Sequence, residues 1–143
     1  MQNRERADPA REFLNRYWEL RQEEKRLERK IEELETQCRN VTAKYRAVPG
    51  GAGGGNNVWD ALIEAKERAE QGLAEALKAE KEIEKFIAKI PKPKHRQVLR
   101  YRYLDLLKWE PIAEKMNYCR RQVDRIHEEA IRSAQELWTK QGR

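Results

Sequence analysis

The 143-residue chain is 39% charged and 38% hydrophobic with a net charge of +6, and its mean hydropathy is −1.08. So few apolar residues exclude a thick globular core, while their regular spacing excludes a disordered chain, so thin helical packing is expected. No apolar run is long enough for a membrane span or a signal peptide, which predicts a cytoplasmic protein; Cys38 and Cys119 are expected to be reduced thiols.

The first predicted element is a long helix. Phe13, Tyr17, Leu20, Glu24, Leu27, Ile31, Leu34, Cys38, Val41 and Tyr45 step by alternating fours and threes, the seam of a coiled coil. The run VPGGAGGGNN interrupts it, and the pattern resumes at Trp59, Leu62, Lys66, Ala69, Leu73, Ala76, Glu80, Ile83, Ile87 and Ile90. The glycines suit a reversal of direction, so residues 1–90 are expected to form an antiparallel coiled-coil hairpin with a Gly-rich loop at 49–57. Folding about residue 52 sets Ile31 against Leu73, Leu34 against Ala69, Leu20 against Ile83 and Tyr17 against Ile87. The same register faces Glu24 with Glu80. A two-helix rod offers these carboxylates no pocket, so a wet layer is expected there and no catalytic or metal role. Ala69 and Ala76 leave space in the seam that a second hairpin could fill, so a homo-oligomer through the coiled coil is one expected arrangement.

Pro91 and Pro93 end the second helix, which sets the expected domain boundary at residue 91. Beyond it a supporting helix is predicted from about His95 to Leu107, with Val98, Leu99, Tyr101, Tyr103, Leu104 and Leu107 among arginines. The charge excess is confined to this part: residues 91–143 hold 13 Lys and Arg against 7 Asp and Glu, whereas residues 1–90 balance at 18 of each. A basic excess restricted to one segment points to an acidic partner such as nucleic acid.

The run WEPIAEKMNYCRRQVDRIHE, Trp109 to Glu128, has the order of a helix-turn-helix. Glu110 and Pro111 suit a first helical turn, although Lys108 stands where a capping Ser or Thr is usual. Ile112, Ala113 and Met116 supply an inner face, Asn117 tolerates a left-handed backbone, and Tyr118, Val123 and Ile126 close the core. Arg120, Arg121, Gln122, Asp124 and Arg125 then face outward from the leading end of the second helix, as candidates for base contacts in the major groove. Arginine suits bidentate contact with guanine; Gln122 and Asp124 suit adenine or cytosine edges, or the orientation of an arginine. Arg96, Arg100, Lys115 and Arg132 are the candidate phosphate contacts. Trp109 and Tyr118 are expected to be core aromatics. His95 and His127 lack ligand partners at metal-binding spacing, so no metal site is predicted.

The stretch from Val98 to Leu137 resembles region 4 of sigma-70 type factors, in which a Tyr- and Leu-rich helix leads into W-x-x-I-A and a recognition helix ending R-x-I-x-x-x-A-I/L. More narrowly, nearly the whole chain is similar to small phage and prophage proteins that join a coiled-coil half to such a region, some being late transcription regulators of the ArpU kind. The sequence departs from that pattern at Lys108, at Asn117, where glycine is common, and at Cys119, where Ser or Thr would cap the recognition helix. The resemblance implies double-stranded DNA as partner, with Arg120, Arg121 and Arg125 reaching the major groove, and RNA polymerase as a second partner.

The predicted fold class is therefore all-α: an antiparallel helical hairpin followed by a three-helix, region 4-like unit at 91–143. The predicted function is sequence-specific DNA binding in transcription. Two alternatives stand beside it: DNA packaging in the manner of a small terminase subunit, and a protein-interaction adaptor that contacts RNA polymerase. An enzyme is not expected, since no nucleophile, metal cluster, acid/base pair or phosphate loop is evident; GGAGGG lacks the Lys-Ser/Thr of the last. No cofactor is predicted.

Overall fold

The computed structural model describes residues 8–47 and 56–142. The described residues form helices and no strand: α1 (Pro9–Ala47), α2 (Asn56–Ala88), α3 (Pro93–Leu99), a π-helical turn (Arg100–Leu104), α4 (Trp109–Met116) and α5 (Arg120–Lys140). Most of the expected 49–57 loop, and the side chain of Tyr45, lie outside the described residues; α2 already begins at Asn56.

Two compact units are present. One is Leu20–Ala76; the other joins the start of α1, up to Glu19, to everything from Leu77 onward. The units therefore divide elsewhere than at residue 91. Ala10 and Leu14 of α1 and Ile83, Phe86, Ile87 and Ile90 from the end of α2 share one core with Val98, Leu99, Tyr103, Ile112, Val123, Ala130 and Ile131. The reason is local: three short helices have too little apolar area to close a core alone, and a fully buried Ile or Leu contributes about 1.5–3 kcal/mol. Phe13, Phe86 and Trp138 reinforce the same core as an aromatic triangle, with ring centroids 5.1–6.0 Å apart.

The predicted α1 seam is the buried one. Leu27, Leu34 and Cys38 are buried, with Phe13, Tyr17, Leu20, Glu24, Ile31 and Val41 half-buried; the fully buried Leu14, beside Phe13, is not among the expected seam residues. The α2 seam is rotated relative to expectation. Leu62, Ala69, Ala76, Ile83, Ile87 and Ile90 face inward as predicted, but Trp59, Lys66 and Leu73 are exposed and Glu80 only half-buried. Their inward places are taken by the preceding residues Val58, Ala65, Gly72 and Ala79, and Phe86 is buried beside Ile87. The inward stripe is thus lined largely by small residues, which lose little or no side-chain entropy on burial.

The register differs as well. In the Leu20–Ala76 unit Leu34 and Cys38 cluster with Leu62 and Ala65, and Glu35 Oε1 lies 3.6 Å from Lys66 Nζ. In the other unit Phe13 packs on Phe86. Each of these pairs falls about one helical turn short of folding about residue 52. Glu24 takes a 2.6 Å hydrogen bond from Arg21 on its own helix. Ala76 is buried within its own chain.

Candidate nucleic-acid interface

The site is built from the corner at Pro91 upward. Lys92, extended as a residue before proline must be, precedes Pro93 in the first turn of α3. Arg96 donates to the carbonyls of Ile90 (2.6 Å) and Pro91 (2.9 Å). A residue expected to meet phosphate is thus half-buried and holds the exit of α2.

The supporting helix is shorter than the expected 95–107. At Arg100 it widens into a π turn closed by Asp105 N–H to Arg100 O (2.9 Å), and Leu106 then takes a left-handed conformation at φ 56°. The extra residue in the turn keeps Tyr103 on the core face beside Val98 and Leu99. Arg102 uses this geometry twice, donating to Leu107 O (3.0 Å) and lying 4.5 Å over the Trp109 ring.

Helix α4 starts at Lys108 without a side-chain cap, as its sequence predicts, and ends where Asn117 adopts φ 60° and ψ 39°. Tyr118 N–H closes the turn onto Ala113 O at 3.0 Å. Cys119 does cap α5: its backbone is extended, and it forms a reciprocal capping box with Gln122, whose Oε1 accepts from the Cys119 N–H at 3.2 Å. The thiol replaces the usual hydroxyl without moving the helix start.

Helix α5 is held from behind by two histidines. His95, buried on α3, faces Glu129 through Nε2 (3.4 Å) and Ser133 through Nδ1 (3.3 Å). His127 Nε2 shares a 2.7 Å hydrogen bond with the Tyr103 hydroxyl, and the His127 and Trp109 rings pack in a T-shape with centroids 4.7 Å apart. Burial, with the Arg11 and Arg102 charges nearby, pulls His127 down to about 4, so the ring is neutral near neutral pH. Burial also pushes the Tyr103 hydroxyl up.

All five predicted base-contact residues are exposed, but they are not equivalent. Arg120 Nε donates to Asp124 Oδ1 at 3.1 Å, and its guanidinium lies 5.6 Å over Trp109. Gln122 is engaged in the cap. Arg121 and Arg125 have no hydrogen bond or ion pair among the described residues. At 100° per residue they share a strip with Arg132, the three falling within about 40° of one another over roughly 16 Å of helix. Arg132 is exposed and unpaired in the same sense, so a predicted phosphate contact joins the strip of the predicted readers. Glu128 lies on that strip as well and forms no ion pair with either neighbour. Arg100 and Lys115 are exposed and unpaired on other elements.

Sequence reasoning missed Lys94. Its ammonium stands 5.2 Å over the Tyr118 ring, just before α5, and the bond to the Tyr118 hydroxyl raises its affinity for a proton. The PKPKH run contained the signal but reads as a boundary. Among the described residues no three His, Cys, Asp or Glu side chains gather as a metal site, and no helix is long and apolar enough to cross a membrane.

Residues 40–135 match the family described as protein of unknown function (DUF1492), about two-thirds of the chain, and the protein belongs to that family. No curated protein and no solved structure matches it.

Proposed function

We propose that the protein is a sequence-specific double-stranded DNA-binding regulator of transcription, with α4 and α5 as a helix-turn-helix and α1 and α2 as an antiparallel coiled-coil hairpin. The observation that carries the reading is the α5 strip: Arg121, Arg125 and Arg132 are solvent-facing, share one side of a helix and have no intramolecular partner among the described residues. Free guanidinium groups in a row are what bidentate guanine contact and phosphate contact both require. The width of the major groove, about 12 Å, admits one such helix.

In this mechanism the first two turns of α5 enter the groove, Arg121 and Arg125 read base edges, and Arg132 meets the backbone where the helix leaves the groove. Glu128 accepts from a cytosine amino group or rejects a phosphate, so it limits the approach to one register. Arg120 and Asp124 brace each other beside Trp109 and shape the leading end. The resemblance to region 4 of sigma-70 type factors points to a promoter-like target, and to phage or prophage regulation.

Selection of bound fragments from random duplex DNA with the purified full chain tests the reading. Enrichment of a recurring sequence is expected. Binding that is salt-dependent but enriches nothing would contradict sequence recognition and leave only charge attraction.

A further inference from the structure

Helix α2 carries a second seam outside the buried one. Trp59, Ile63, Lys66, Glu70, Leu73 and Leu77 step by four, three, four, three and four, a heptad series of its own. Its four apolar members are between 44% and 56% exposed, and Trp18 is the one other large apolar side chain of comparable exposure among the described residues. Singly exposed apolar residues are ordinary, but four on one helical strip of roughly 27 Å are not.

The order of this strip is a palindrome about Arg68. Laid antiparallel on itself, it sets Trp59 against Leu77 of the second copy, Ile63 against Leu73, and Lys66 against Glu70. In an antiparallel coiled coil each a position packs on a d position, and all three pairs meet that condition. A parallel arrangement would instead face Lys66 with Lys66 and Glu70 with Glu70. We infer that this strip is the interface of a twofold, antiparallel homodimer, closed by two Lys66–Glu70 pairs across the axis.

Twofold interfaces demand self-complementarity, and here both the apolar and the charged positions supply it. Lys66 is available: its 3.6 Å pair with Glu35 is exposed, the two side chains being 54% and 40% accessible, and such pairs exchange easily. Glu70 has no partner among the described residues. Glu67 flanks the axis, where it approaches its own mate; that repulsion at the rim weakens the dimer without changing its register. The inference stands whether or not α5 reads DNA.

Sedimentation equilibrium on the full chain tests it. The wild type should reach twice the mass of one chain at tens of micromolar. Glu70→Lys, which loses no intramolecular partner among the described residues, should raise the dimer dissociation constant at least tenfold, and adding Lys66→Glu in the same chain should restore it. Glu67→Gln should tighten the dimer. Circular dichroism on each variant checks that the helices persist, and Leu73→Glu provides a second route to the monomer. A wild type that stays monomeric, a higher-order assembly, or a dimer indifferent to Glu70→Lys or not rescued by the double swap would overturn the proposal.

Discussion

The Tyr103 hydroxyl and His127 Nε2 share a 2.7 Å hydrogen bond, and this bond ties the π turn to the middle of α5. Trp109 also contacts this ring, so the back of the proposed reading helix rests on a neutral histidine. Because the folded chain holds His127 near 4 against an ordinary 6.5, the unfolded chain takes up a proton that the folded chain refuses. Stability should therefore be flat above about pH 7 and fall as the pH drops from 6.5 toward 4. The loss from this group amounts to about 1 kcal/mol by pH 5.5 and up to about 3 kcal/mol at the bottom of the window. Urea unfolding at both ends of the range, on wild type and His127→Gln, checks it: the variant should lack this part of the pH slope, and equal slopes would contradict the burial argument.

Asn117 holds a left-handed conformation at φ 60°. Asn117→Ala should cost about 1 kcal/mol, because a Cβ without a compensating amide is strained there, whereas Asn117→Gly should be neutral or slightly stabilising. Thermal melts of the two variants separate the cases, and Ala melting at or above Gly would remove the turn argument.

Arg96 and Arg132, both expected from sequence to meet phosphate, should now behave differently. Arg96→Ala removes two hydrogen bonds to the end of α2 and should lower stability by about 1–2 kcal/mol while leaving the salt dependence of DNA binding unchanged. Arg132→Ala should leave the melt unchanged and reduce the salt slope by about one unit. Paired melting and salt-titration experiments check both directions.

The inner α2 stripe gives a packing test. Ala76→Leu adds volume where the residue is buried against its own chain, and overpacking should cost about 1–3 kcal/mol. A gain in stability would mean that the space beside Ala76 is real.

Much of this architecture was legible in the residues. The α1 seam, the uncapped Lys108, the left-handed Asn117 and the outward face of α5 follow from spacing and backbone preference, which are local properties. What was not legible depended on partners far along the chain. Trp59, Leu73 and the alanines of α2 fit two seams differing by one residue, and hydrophobicity alone favours the one with large side chains. The structure buries the other, lined by Ala65, Gly72, Ala76 and Ala79. The inclusion of Ala10, Leu14, Ile83 and Phe86 in the C-terminal core could not be read from chain order, because Pro91 and Pro93 signal a boundary whether or not packing respects it. Within the site, exposure was predictable but pairing was not: Arg120 and Gln122 resemble Arg121 and Arg125 in position, and only the geometry of Asp124 and Cys119 sets them apart.

The central claim is that the unpaired guanidinium groups of α5 read sequence. Competition between a selected duplex and random duplex for wild type and for Arg121→Ala/Arg125→Ala, at fixed salt, tests it most directly. The account predicts that the double variant keeps its helical fold and its salt-dependent affinity for random duplex, yet loses about 1–3 kcal/mol of preference per arginine for the selected site. A folded double variant that discriminates as well as wild type would contradict it.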